Sequence, residues 1–156
     1  DPDGKVALAS LEDLDLSLND IGDVGLSALA DAASKGTMTQ VTHLFLWGNA
    51  IGDDGLSALT LVCINGALPR LEMLALSSNS IGDAGCTFLA KAFAGGAFAS
   101  LTALFLEDNE IDDAGMSALA DSVSRGKPAS LKALTVDDKQ HTLLTTACRA
   151  RGITLS

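Results

Sequence analysis

LEMLALSSNSIGDAG, residues Leu71–Gly85, joins two different periods through a single asparagine. Leu74 and Leu76 alternate at the spacing of a strand, whereas the apolar residues after Asp83 recur at the spacing of a helix. The same phrase returns as LEDLDLSLNDIGDVG from Leu11, VTHLFLWGNAIGDDG from Val41 and LTALFLEDNEIDDAG from Leu101, a period of 30 residues with no insertion or deletion. Repetition of this length means that stacked units bury the core together, because one unit alone cannot cover its own apolar face.

Counted from the first Leu or Val of each unit, positions 1, 4 and 6 are Leu or Val throughout, as in Leu11, Leu14 and Leu16 or Leu101, Leu104 and Leu106. Alternation at 4 and 6 turns those side chains inward and leaves positions 3, 5 and 7 facing outward. One strand per unit, always in the same direction, makes a parallel sheet. Position 9 is Asn19, Asn49, Asn79 and Asn109, where the chain leaves the strand. A bend inside the stack strands backbone N–H and C=O groups, and an Asn amide offers both a donor and an acceptor to satisfy them. Loss of such a partner costs about 1–3 kcal/mol. A structural asparagine ladder is therefore expected.

A helix follows. Asp23, Asp53, Asp83 and Asp113 stand where an N-cap belongs, and Leu26, Leu29, Ala30 and Ala33 (in the third unit Cys86, Leu89, Ala90 and Phe93) form its apolar face. Gly36, Gly66, Gly96 and Gly126 come where a left-handed C-terminal cap is favoured. Gly25, Gly55, Gly85 and Gly115 fall in the first helical turn, where glycine weakens a helix, so a close backbone approach is expected there. The unit is thus strand, Asn bend, helix, return loop. Helices are wider than strands, so the stack is expected to curve with its strands inside: an α/β solenoid, a right-handed β-α superhelix with a parallel inner sheet and outer helices.

The pattern LxxLxLxxNxIGDxG followed by an Ala/Leu helix resembles the leucine-rich repeat, in its long ribonuclease-inhibitor-like class, from residue 11 to about 136. That resemblance implies binding of other proteins through the concave strand face, as in ribonuclease inhibitor and in the sensor arrays of intracellular immune receptors. This chain has Asn where ribonuclease inhibitor often has Cys, and its repeats do not alternate in length, so a ribonuclease partner is not implied. The Ran GTPase-activating proteins are similar in repeat type, which makes regulation of a small GTPase an alternative; five strands are fewer than that family uses. A spacer without a ligand is a further alternative.

One domain is expected over residues 1–156, with repeats 11–40, 41–70, 71–100 and 101–130. Residues 131–156 read as a C-terminal cap: Leu131–Val136 begin a fifth unit, position 9 becomes Lys139, and a shorter helix signal covers Thr142–Ala150. Residues 1–10 align with the return loop of a preceding unit, Leu8 matching Met38, Leu68 and Phe98. No polar cap precedes Leu11, so further repeats or another domain are expected ahead of it, or else pairing of this edge with another chain.

A net charge of −10 from 20 acidic and 10 basic residues disfavours nucleic acid and anionic membranes as partners and admits a basic protein. No apolar run is long enough to span a bilayer. Cys63, Cys86 and Cys148 are an odd set without CxxC, and the end-shielding disulfides usual in secreted members of this architecture have no place here. They read as buried hydrophobes of a reducing, intracellular (cytoplasmic) compartment.

No catalytic set is legible. His43 and His141 are the only histidines and neither belongs to a Ser–His–acid or Cys–His arrangement. The stretch Asp1–Val6 imitates the middle of a calcium loop, but Ser10 stands where the bidentate Glu belongs. Neither a metal nor a cofactor is expected, and the chain does not read as an enzyme. What remains is the outward strand face, where Phe45, Trp47, Met73 and Phe105 are surplus to a core already filled by leucine. His43, Asp15, Glu107 and Asp108 surround them, with Asp13, Asp137 and Asp138 further out. Exposed aromatics with an acidic rim point to a protein or peptide partner carrying apolar and basic groups.

Overall fold

The computed structural model describes residues 10–137 and 141–156. Leu8, the calcium-like stretch Asp1–Val6, Asp138 and Lys139 lie outside them. Strands β1 (Asp13–Asp15), β2 (His43–Phe45), β3 (Met73–Ala75), β4 (Ala103–Phe105) and β5 (Ala133–Thr135) alternate with helices α1 (Asp23–Ser34), α2 (Asp53–Ile64), α3 (Asp83–Ala94), α4 (Asp113–Ser124) and α5 (Thr142–Arg151). A short sixth strand, β6 (Thr154–Leu155), closes the array. The sheet is wholly parallel in the order β1 to β6, and equivalent residues stand side by side: Leu14, Leu44, Leu74, Leu104 and Leu134 form one continuous row. The five-strand expectation is thus one short. Gly152 adopts φ 64°, which turns the chain back so that Leu155 pairs with Leu134.

Between the sheet and the helices runs the core. Leu44, Leu46, Leu74, Leu76, Leu104 and Leu106 are buried from the sheet side, and Leu56, Leu59, Cys86, Leu89, Phe93, Met116 and Leu119 meet them from the helices. Phe93 and Phe98 meet edge to face, with centroids 5.7 Å apart. Leu11, Leu14 and Leu16 are only half-buried, since β1 is the sheet edge. Adjacent strands sit about 4.8 Å apart while packed helices need about 8–10 Å; the stack therefore bends toward its strands.

The asparagine ladder does more than support its own bend. Asn79 Nδ2 donates to Leu76 O and also to Leu46 O of the preceding repeat, both at 3.0 Å, while its Oδ1 accepts the Ile51 N–H at 3.0 Å. Asn49 and Asn109 repeat this bridge, to Leu16 and Ile21 and to Leu76 and Ile81 respectively. Among the described residues Asn19 bonds within its own turn, to Leu16 O and Ser17 O. The amides of Asn49, Asn79 and Asn109 are thus rivets between two units.

The N-cap reading of the aspartates is corrected. Asp23, Asp53, Asp83 and Asp113 are the first residues of their helices, after Gly22, Gly52, Gly82 and Asp112 in extended conformation, and none caps its own helix. Asp23 Oδ1 instead accepts the Gly52 and Gly55 N–H groups at 2.7 and 2.9 Å, one repeat further on. Asp53 does the same for Gly82 and Gly85, and Asp83 for Asp112 and Gly115. A helix start exposes unpaired N–H groups and positive dipole, and here the preceding repeat supplies the acceptor and the charge. This explains the first-turn glycines: a Cβ on Gly85 would lie 2.5 Å from Asp53 Oδ1. At the far end α5 is capped by His141, whose ring nitrogen accepts the Leu144 N–H at 3.3 Å. The glycines after α1 to α4 have φ of 74°, 91°, 89° and 79°, the left-handed turn their position called for.

Candidate functional site

Register builds the outward strand face. Because β2, β3 and β4 pair residue for residue, Phe45, Ala75 and Phe105 form one row across the sheet, and His43, Met73 and Ala103 another. Trp47, Ser77 and Glu107 follow two residues beyond the first row. Phe45 and Phe105 therefore stand as two walls over the small floor of Ala75, which they and their neighbours bury to 7% exposure. The outcome is a concavity of about 380 Å³ lined by Phe45, Trp47, Met73, Ala75, Ser77, Ser78, Phe105, Glu107 and Asp108. Trp47 is the most open of the large apolar groups there, at 39%.

Of the residues singled out from the sequence, Phe45, Trp47, Met73, Phe105, Glu107 and Asp108 thus share one site. His43 and Asp15 do not line it. His43 flanks it instead, its ring parallel to that of Phe45 at 6.1 Å and its Nδ1 2.6 Å from Asp13 Oδ1. Asp15 lies on β1, where the Ser17 N–H donates to its carboxylate at 2.9 Å; that bond holds its pKa below the ordinary carboxylate value. Asn19, Asn49, Asn79 and Asn109 lie outside the lining of the concavity.

The acidic side of the concavity is held in place. Thr135 Oγ1 donates to Glu107 Oε2, and Ser78 Oγ donates to Asp108 Oδ2 at 3.1 Å. Asp108 is in the left-handed region, at φ 56°, where Asp and Asn are the best-tolerated non-glycine residues. Its N–H donates to Asp137 Oδ1 at 2.8 Å, and the Asn109 N–H to Asp137 Oδ2 at 3.3 Å. In the earlier units that role falls to backbone carbonyls, Trp47 O for the Leu18 N–H and Ser77 O for the Gly48 N–H. Asp137 is therefore engaged by the end of the stack as well as lying on the rim. The left-handed bend at position 8, with Asp108 as its acidic member, left no sign in the residue types, which are Leu18, Gly48, Ser78 and Asp108.

Among the described residues no group of His, Cys, Asp and Glu could hold a metal ion, and no helix is long and apolar enough to cross a membrane. Cys63, Cys86 and Cys148 are free and buried, and burial pushes the thiols of Cys63 and Cys86 up to about 12. As neutral thiols they neither attack nor ligate at ordinary pH.

A family model described as Leucine Rich repeat matches residues 7–30, 38–59, 69–90 and 99–120, in register with the four units. The chain belongs to the leucine-rich repeat family. No curated protein matches it. Leucine-rich repeats serve in general as protein-binding arrays, and in this one the strand face carries its aromatic residues and its acidic groups in one concavity.

Proposed function

We propose that this leucine-rich repeat chain is a non-enzymatic interaction module of the ribonuclease-inhibitor-like class, holding a protein or peptide against its strand face. The observation that carries this reading is the concavity between Phe45 and Phe105, where apolar walls and fixed carboxylates converge on a floor of small residues. Binding surfaces concentrate their affinity in such aromatic centres and their specificity in the charged rim. With a net charge of −10 the partner is a basic one. Three free buried thiols accord with a reducing, cytoplasmic setting.

The test is a pull-down from source lysate with wild type and with Phe45→Ser/Trp47→Ser/Phe105→Ser. The triple variant loses the captured partner while its circular dichroism spectrum is retained. Equal capture by both proteins overturns the strand-face reading. Capture by neither favours a spacer without a ligand.

A further inference from the structure

We infer that the concavity between Phe45 and Phe105 receives one arginine side chain of the partner, an inference that rests on the strand-face reading above. The two phenyl walls are two strands apart in one register row, about 10 Å at the backbone, with Ala75 between them. The gap is one residue wide at its floor, and Phe45 and Phe105 line its two sides.

The slot has an acidic end. Glu107 and Asp108 both line it. Thr135 occupies Oε2 of Glu107 and Ser78 occupies Oδ2 of Asp108, and among the described residues Glu107 Oε1 and Asp108 Oδ1 accept no hydrogen bond. Two carboxylate oxygens thus remain open on one side of an aromatic slot. The rows at positions 3, 5 and 7 contain Asp13, Asp15, Glu107 and Asp137 and no lysine or arginine, so no basic residue of those rows neutralises them. His43, on the same strand face, is already against Asp13.

Chemistry selects among occupants. A leucine or phenylalanine would fill the walls but strip water from two carboxylates without replacing it, which is unfavourable. Phosphate and carboxylate ligands are repelled. Lysine brings an apolar stem and a charge, but a point charge without a plane. Arginine satisfies every feature: its stem lies over Ala75, its guanidinium stacks on an aromatic face, and its fork of N–H donors meets two acceptors at once. The hydroxyls of Thr135 and Ser78 hold those acceptors still.

The experiment is selection of a random twelve-residue displayed peptide library on the immobilised protein, with the affinity of each selected peptide then measured by calorimetry. Enriched peptides share one arginine. Replacing it in a selected peptide by citrulline, equal in shape but uncharged, weakens binding about tenfold or more, and lysine severalfold. Glu107→Gln and Asp108→Asn, both at the surface, erase the preference for arginine over citrulline. If peptides are enriched and lost with Phe45→Ser/Trp47→Ser/Phe105→Ser, yet share no basic residue or bind equally well with citrulline, the arginine slot is overturned and the strand-face reading stands. If no peptide is enriched, or those enriched ignore the triple substitution, both fall together.

Discussion

Asn79 and Asn19 occupy the same repeat position, yet their surroundings grade them differently. Asn79 is buried and ties Leu46, Ile51 and Leu76 across two units, whereas Asn19 is exposed and bonds within one turn. Asn79→Ala should cost about 1–3 kcal/mol because it orphans the Ile51 N–H in the interior, while Leu46 O and Leu76 O keep the amides of Asn49 and Asn109, and Asn19→Ala less than about 1 kcal/mol. Paired urea titrations check the contrast; equal losses would refute the inter-repeat role. The thiols make a pH prediction. Cys63 and Cys86 have folded values near 12 against an ordinary 9.0, raised by burial. A raised value means the folded chain keeps its protons longer than the unfolded chain does. Their stabilising contribution is complete below pH 9 and is lost as pH climbs from 9 toward 12, by about 1.4 kcal/mol per pH unit for each thiol. Urea midpoints measured from pH 8 to 10.5 should fall, and Cys63→Ala should flatten the slope by one proton.

At the level of the element, the starts of α2, α3 and α4 are finished by the repeat before each. Asp53→Ala removes the acceptor for Gly82 and Gly85 and leaves α3 frayed at its first turn, at a cost of about 0.5–2 kcal/mol. Gly85→Ala puts a methyl against Asp53 and, at 2.9 Å, against Ile81 Cγ2, so it destabilises by about 1–3 kcal/mol although alanine is the better helix former. Gly25→Ala is the control, because among the described residues no aspartate lies over it and its nearest neighbour is Ile21 Cγ2 at 3.0 Å. Thermal melts should rank Gly85→Ala well below Gly25→Ala. If the two melt alike, the aspartate has no part in the glycine requirement.

For the molecule as a whole, β1 is the first strand of the described sheet. Leu11, Leu14 and Leu16 are half-buried where their counterparts further along are covered. No carboxylate accepts the Gly22 or Gly25 N–H among the described residues, the service that Asp23 performs for Gly52 and Gly55. A copy of residues 71–100 placed before Leu11, in place of residues 1–10, should raise stability by about 2 kcal/mol or more and slow amide exchange at Gly22 and Gly25. Asp83→Ala in that copy should restore fast exchange at both. Self-association through this edge would appear as a dimer in sedimentation of the unextended chain, abolished by the added repeat. Much of this was legible from residue types alone: the 30-residue period, the strand row of leucines, the asparagine bends, the helical face and the left-handed glycines are local patterns that repeat. So was the outward direction of Phe45, Trp47, Met73 and Phe105, because strand alternation is a property of the chain itself. Tertiary structure alone decided what joins one repeat to the next. Asp23, Asp53 and Asp83 serve the next repeat's helix rather than their own, the Asp137 carboxylate takes the role that backbone carbonyls hold in earlier units, and the rows of three strands enclose a concavity over Ala75. Each of these depends on groups 28 to 33 residues apart, brought within hydrogen-bonding or van der Waals reach only by the register of the stack.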